Sequence, residues 1–197
     1  MKIFNNQKEL KTFLANIETS LSTGFVPTMG ALHGGHLKLI SESKKECDIT
    51  ICSIFINPTQ FNSNTDLENY PKTIGDDLEQ LEKTHCDIVY IPKTNDLYAK
   101  NEKAKEFDFG TLSNTMEGKF RKGHFNGMAT VVEKFFNIIK PTKAFFGNKD
   151  LQQLQIVKAL VKQMDSDITI IGVPTIREKS GLAKSSRNIR LSKAILR

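Results

Sequence analysis

The sequence predicts an α/β fold, a parallel sheet with helices on both faces. Three observations predict it. Short, β-branched apolar runs alternate with segments whose apolar residues recur at helical spacing. The clearest of these runs, Ile49–Ile56, is nearly continuous in its apolar character, as expected of a strand buried on both sides. The strings rich in glycine, histidine and amides fall directly after the runs, where open parallel sheets hold ligands.

Taken in order, Gly24–Thr28 is a short apolar run with Pro27 near its end and reads as the first strand. His36–Cys47 follows as a helix, and Ile49–Ile56 is the second strand. Asp76–Thr84 is a short helix and Asp87–Ile91 a third strand. Asn126–Ile139 carries apolar residues at 128, 131, 132, 135, 138 and 139, a helical spacing. Thr142–Phe146 is strand-like, and Leu151–Met164 repeats the helical pattern at 151, 154, 157, 160, 161 and 164. Ile168–Val173 is the last strand. The charged stretch Lys93–Glu106 reads as an irregular loop inserted between elements.

The length of 197 residues suits one domain with its own core. The apolar fraction of 39% and charged fraction of 25% are ordinary for a globular chain and argue against low-complexity or disordered classes. The longest apolar stretches fall far short of the ~20 residues that cross a bilayer, and the start MKIFNNQKEL has no apolar core of a secretory signal. No membrane partner is expected. The net charge of +6 steers anionic partners toward the chain. Nucleic acid is not expected, because no zinc-finger spacing, aromatic RNA-binding string or long basic block is present. Cys47, Cys52 and Cys86 make neither an even set nor a CxxC pair, which fits a reducing cytoplasm without disulfides or zinc.

Four strings carry the chemistry. In Pro27-Thr28-Met29-Gly30-Ala31-Leu32-His33-Gly34-Gly35-His36, two imidazoles separated by two glycines stand between a strand and a helix. Unpaired N–H groups at a helix start attract phosphate, and imidazoles add donors for charge growing on phosphoryl oxygens. In Phe55-Ile56-Asn57-Pro58-Thr59-Gln60-Phe61, Asn57 and Gln60 offer neutral amides at the ligand edge, though alone the string reads as a turn. In Phe145-Phe146-Gly147-Asn148-Lys149-Asp150-Leu151-Gln152-Gln153, Asp150 and Gln153 fit either a reciprocal helix cap or a ligand contact. Lys149 in that turn opposes the helix dipole unless an anion is bound. In Gly181-Leu182-Ala183-Lys184-Ser185-Ser186-Arg187-Asn188, hydroxyls beside Lys and Arg suit a phosphate-holding loop. Two weaker groups remain. Asp76 and Asp77 either favour a helix start or hold magnesium through water. Arg121 faces an anion or solvates a loop.

The strings VPTMGALHGGH, FINPTQF, NYPKT, EGKFRKGHFNGMATVV, AFFGNKDLQQL and VPTIRE–GLAKSSRN, in that order over Val26–Asn188, resemble the pantothenate synthetase (pantoate–β-alanine ligase) family. The resemblance implies a Rossmann-like nucleotide- and pantoate-binding domain over residues 1–188. It implies an ATP-dependent, Mg2+-assisted ligase in the HxGH nucleotidyltransferase superfamily, cytoplasmic and homodimeric. Pantoate would be activated as pantoyl adenylate, and β-alanine would then take the acyl group. By the same resemblance His33, His36, Lys149, Ser185, Ser186 and Arg187 are catalytic and hold the phosphates. Pro27, Thr28, Met29, Gly30, Gly147, Asp150 and Ile176 complete the ATP site. Met29, Asn57, Gln60, Arg121 and Gln153 meet pantoate, and Asp76 and Asp77 orient the metal. Lys184 joins the ATP set, where family members usually have Met or another apolar residue. It gives the loop a likeness to the Lys-Ser loop of class I aminoacyl-tRNA synthetases.

Family members carry a smaller C-terminal lid domain. This sequence stops at Arg197, so the lid is expected to be largely absent, with residues 189–197 the start of a truncated region. Two alternatives stand beside the ligase. One is another HxGH nucleotidyltransferase; the other is an ATP- and pantoate-binding domain with poor turnover.

Overall fold

The computed structural model describes residues 1–191, so most of the expected C-terminal region, 192–197, lies outside the described residues. Six strands form one sheet: β1 (Lys2–Phe4), β2 (Thr23–Thr28), β3 (Ile49–Ile54), β4 (Ile88–Tyr90), β5 (Lys143–Gly147) and β6 (Thr169–Val173). Their order is β1-β4-β3-β2-β5-β6, and every pairing is parallel. The helices are α1 (Gln7–Leu14), α2 (Gly34–Glu46), α3 (Asn64–Glu68), α4 (Ile74–Lys83), α5 (Thr94–Leu97), α6 (Met116–Phe120), α7 (His124–Ile139) and α8 (Leu151–Gln163). No helix among the described residues is long and apolar enough to cross a membrane.

Both faces of the central strands are covered, which is why those strands are largely apolar. Successive residues point to opposite faces. Val26, Cys52, Val89 and Phe145 pack with Leu39 and Ile40 of α2 and Leu81 of α4. Their neighbours Phe25, Ile51, Ile88, Tyr90, Ala144 and Phe146 pack with Leu10 of α1, Phe135 and Phe136 of α7, and Val157 and Leu160 of α8. All three cysteines are free and buried.

The chain builds outward from β2 to β3 and β4, then crosses back to lay β5 on the other side of β2. The direction of winding therefore reverses between β2 and β5. Such a switch point leaves a crevice beyond the carboxyl ends of the two strands. Right-handed crossovers then put α2 and α4 on one face and α7 and α8 on the other, as observed.

Several elements go beyond the sequence expectation: β1, α1 and the short helices α3, α5 and α6. β1 and α1 occupy the N-terminal segment, with Ile3 in register with Val89. Asn6 caps α1 by accepting a bond from the Glu9 amide at 2.9 Å. Lys93–Glu106 is mostly irregular, but it is packed rather than a free insertion. Leu97 and Tyr98 are buried, the Lys105 amide donates to Thr130 Oγ1 at 2.9 Å, and Glu102 pairs with Lys134 of α7. The remaining strands and long helices match the expected ones, with ends displaced by a residue or two.

The N-terminal part of α7 meets the turn after β3 at Gly127. A Cβ there would lie 2.2 Å from the Thr59 carbonyl oxygen. The close approach lets the Gly127 carbonyl accept a bond from Asn57 Nδ2 at 3.0 Å.

Candidate active site

A cavity lies at the switch point. β2 contributes Pro27 and Thr28, followed by Met29; the turn after β3 contributes Asn57 and Gln60. Gly147, Lys149, Asp150 and Gln153 enter from the end of β5 and the start of α8, and Ile176 and Lys184 from the chain after β6. Met128, Val131, Val132 and Phe135 of α7 help form an apolar floor. Thirteen of the sequence-predicted site residues thus share one cavity: those just named before the floor, with His33 and His36.

The two histidines build the start of α2. The Gly35 amide donates to His33 Nδ1 at 3.0 Å, and the His33 amide donates to His36 Nδ1 at 3.4 Å. Each imidazole is thus a capping group. Because both Nδ1 atoms accept, the proton of each neutral ring sits on Nε2, the nitrogen left for a ligand. The rings lie 4.1 Å apart, centre to centre. Burial, then the nearby Lys149 and Lys184, lowers the His33 pKa to about 4. Burial, then His33 and Lys149, lowers that of His36 to about 3. Both are neutral N–H donors at physiological pH.

A pH dependence follows. A folded-state pKa below the unfolded value means that the unfolded chain binds more protons. The stability linked to these histidines is present above about pH 6.5 and is lost as pH falls through about 4 and 3. The thermal midpoint is expected to drop between pH 7 and pH 4, and less so in a His33→Asn, His36→Asn double variant. Calorimetry across that range checks it. Equal slopes in both proteins would show that other groups govern the acid limb.

Asn57 and Gln60 divide the work. Asn57 is buried, and Nδ2 donates to Gln60 Oε1 at 3.1 Å and to the Gly127 carbonyl. Its Oδ1 accepts from Tyr98 Oη at 2.8 Å and Thr59 Oγ1 at 3.0 Å. Both hydrogens of the Asn57 amide are thus engaged, and Asn57 orients Gln60 within the cavity. Gln60 Nε2 reaches Met29 Sδ at 3.2 Å and retains a second hydrogen for the cavity. His124, buried at the start of α7, holds the Gln60 carbonyl through Nδ1 at 2.8 Å. Gln153 has no partner among the described residues, and Asp150 makes no side-chain cap bond. The reciprocal-cap alternative for this pair therefore does not form.

Several expected contacts lie elsewhere. Arg121 is off the cavity and pairs with Glu117, four residues before it in the chain. In this structure it lies apart from the other residues expected to meet pantoate. Asp77 is buried; its Oδ2 accepts from the Ala31 amide at 2.9 Å and its Oδ1 from the Leu32 amide at 2.7 Å. It anchors the loop after β2, in which Gly30 and Ala31 both have positive φ, rather than presenting oxygens to a metal. Gly30 itself lies beside Asp77, outside the switch-point cavity. Asp76 is exposed, and the described residues contain no group of three or more His, Cys, Asp or Glu able to hold an ion. Of the pair expected to orient magnesium, Asp77 is thus engaged by backbone amides and Asp76 lies at the surface.

Ser185, Ser186 and Arg187 also stand off the cavity wall. Ser185 caps its own short turn, Ser186 Oγ donates to the Ala31 carbonyl at 2.8 Å, and Arg187 bonds Asp66 at 2.7 Å. The Arg187 guanidinium also lies 5.6 Å from the Tyr70 ring centre. These bonds tie the loop after β6 to the rim of the site. Sequence reasoning gave no role to Tyr70, which lines the cavity and packs edge-on against Phe61 at 5.9 Å. Its only signal was its place in the string NYPKT.

A parallel sheet whose switch-point cavity pairs capping imidazoles with lysines and neutral amides is the frame of a nucleotide-dependent group-transfer enzyme. The profile of the family described as Pantoate-beta-alanine ligase matches residues 2–196. A pantothenate synthetase of Christiangramia forsetii is 48% identical over 194 residues, covering 98% of this chain and 69% of the relative. One of Legionella pneumophila strain Lens is also 48% identical, covering 98% and 76%. A pantoate-β-alanine ligase of Francisella tularensis, crystallised with "Beta-gamma ATP" and β-alanine, superposes with a TM-score of 0.94 at 42% identity. That match covers 98% of this chain and 74% of the other. The chain belongs to the pantoate–β-alanine ligase family.

Proposed function

We propose that this domain makes pantothenate from pantoate and β-alanine, with cleavage of ATP to AMP and pyrophosphate. One observation carries the reading: two neutral imidazole donors, Lys149 and Lys184 share a cavity with the amides of Gln60 and Gln153. The family and its ATP-dependent ligase relatives support it.

The chemistry needs no nucleophile from the protein. In the first step a pantoate carboxylate oxygen attacks the α-phosphorus of ATP, and the bond to the bridging oxygen of pyrophosphate breaks. Charge grows on the phosphoryl oxygens and on the leaving group. His33 and His36 Nε2–H meet it as preorganised donors, and Lys149 supplies formal charge. Gly147 and Asp150, at the end of β5, are placed for the ribose. Gln60 and Gln153 bind pantoate's polar groups, while Met29 and the α7 floor accept its methyl groups. In the second step the β-alanine amine attacks the acyl carbon, AMP leaves and the amine gives up its proton. Magnesium belongs in this scheme to the nucleotide, since the described residues contain no cluster of three or more His, Cys, Asp or Glu to hold it. The reading carries a homodimer and a cytoplasmic setting with it. The exposed Met116 and Phe120 of α6 support a second copy, and light scattering tests it.

The test of function is pyrophosphate release with pantoate and ATP alone. A stoichiometric burst of pyrophosphate and enzyme-bound acyl-adenylate is expected, with turnover on adding β-alanine. Gln153→Ala should raise the pantoate KM about tenfold, as expected for loss of a neutral hydrogen bond, and leave that for ATP nearly unchanged. Release that requires β-alanine, or that proceeds equally with unrelated hydroxy acids, would overturn the scheme.

A further inference from the structure

Within the loop 181–188, Lys184 is the residue that reaches the cavity wall. Its partner in this structure is Glu178, with Nζ 3.2 Å from Oε2. Both sit on a narrow hairpin after β6. The Glu178 amide donates to the Leu182 carbonyl at 2.7 Å, and the Lys184 amide to the Ile176 carbonyl at 2.9 Å. Arg177 and Ala183 form an antiparallel bridge between these bonds. The hairpin thus presents an anion and a cation side by side at the cavity edge.

The placement of Lys184 is electrostatically costly by itself. Its stem lies over the first residue of α2: a Cβ on Gly34 would be 3.3 Å from Lys184 Cδ and 3.8 Å from Nζ. The start of a helix carries partial positive charge, so a cation there is disfavoured unless an anion joins it. Lys149 adds a second cation nearby, and both lysines disfavour protonation of His33. Glu178 acts on His33 in the opposite sense. Glu178 is the only carboxylate paired with Lys184 among the described residues. It therefore stands in for the anion that this corner of the cavity is built to receive.

We infer that Lys184 is a phosphate-contacting residue in this chain and that Glu178 is its exchangeable partner, displaced when the pyrophosphate portion of the nucleotide enters. The inference rests on the ligase reading for its nucleotide, but the pair itself can be tested with pyrophosphate alone. The anion takes over the Lys184 ammonium, and the released Glu178 carboxylate turns to solvent, since its side chain is already 32% exposed. The exchange makes affinity for the anion a difference between two ion pairs. Such an arrangement binds ATP while letting pyrophosphate leave, because the carboxylate recaptures the lysine.

The experiment is calorimetric titration of the 197-residue protein with inorganic pyrophosphate, beside pantoate-dependent ATP–pyrophosphate exchange. Lys184→Met, which keeps the stem over Gly34, is expected to weaken pyrophosphate about tenfold or more, the usual scale of a lost charge-assisted hydrogen bond. It should also lower kcat/KM for ATP while sparing the pantoate KM. Lys184→Arg should recover most of the loss. Glu178→Gln removes the competitor and should tighten pyrophosphate severalfold while slowing its release. In the Lys184→Met background, Glu178→Gln should have no further effect. If Lys184→Met binds pyrophosphate like the parent, or Glu178→Gln weakens it as Lys184→Met does, the pair is a hairpin brace and the inference fails. Absence of pantoate-dependent exchange in the parent would overturn the ligase reading alone, since the pyrophosphate titrations stand apart from it.

Discussion

Replacing His36 by alanine is expected to slow pyrophosphate release about 10²–10³-fold, the usual effect of deleting one preorganised donor to developing charge. Burial keeps His36 neutral, so its Nε2–H bond is strengthened by its surroundings and needs no reorganisation during the reaction. The loss should fall on kcat more than on the ATP KM, because the donor matters most where charge is greatest. The fold should change little. The cap bond that His36 accepts is long, at 3.4 Å, while the shorter one belongs to His33. Single-turnover release of pyrophosphate measures the effect, with a thermal melt as control. A drop of less than about tenfold would assign the histidine to capping alone.

Asp77→Ala is expected to lower stability by about 3–5 kcal/mol, since it strips two backbone amides of a charged acceptor in a site that is nearly dry. For a chain of this size that corresponds to roughly 10 °C in thermal midpoint. Only 1% of Asp77 is exposed, so water cannot replace the lost oxygens. Asp77→Asn should fall between, because its single oxygen satisfies one amide and its NH2 group confronts the other. Activity should decline along with the fold, and added magnesium should not restore it. An Asp77→Ala protein that melts like the parent, but needs more magnesium, would return Asp77 to metal binding.

The central strands were legible because they are buried on both faces, so they could be read without knowing which side faces the core. The place of the cavity was legible for the same topological reason: polar residues at strand ends converge at a switch point wherever the winding reverses. What escaped depended on partners distant in the chain. The Asn57 side chain is held by Tyr98 and the Gly127 carbonyl, 41 and 70 residues away. The Asp77 carboxylate is held by the Leu32 amide, 45 residues earlier. Arg121 is different. Its partner Glu117 lies four positions before it, a helical spacing visible in the sequence, and the pair was outweighed by the nearness of Arg121 to a family string. β1 escaped because three residues at a sheet edge carry too little pattern to read.

The reversal between β2 and β5 divides the site between two stretches of polypeptide. The imidazoles and Gln60 come from the first 60 residues, while Lys149, Gln153 and Lys184 come from beyond residue 140. Thr23 at the start of β2 bonds Thr142 across a separation of 119 residues. Neither stretch alone supplies all the side chains that line the cavity. A nucleotide that touches both halves acts as a bridge across this seam. It favours the joined form over the separated one by its own binding free energy, so substrate serves during assembly as a reversible cross-link.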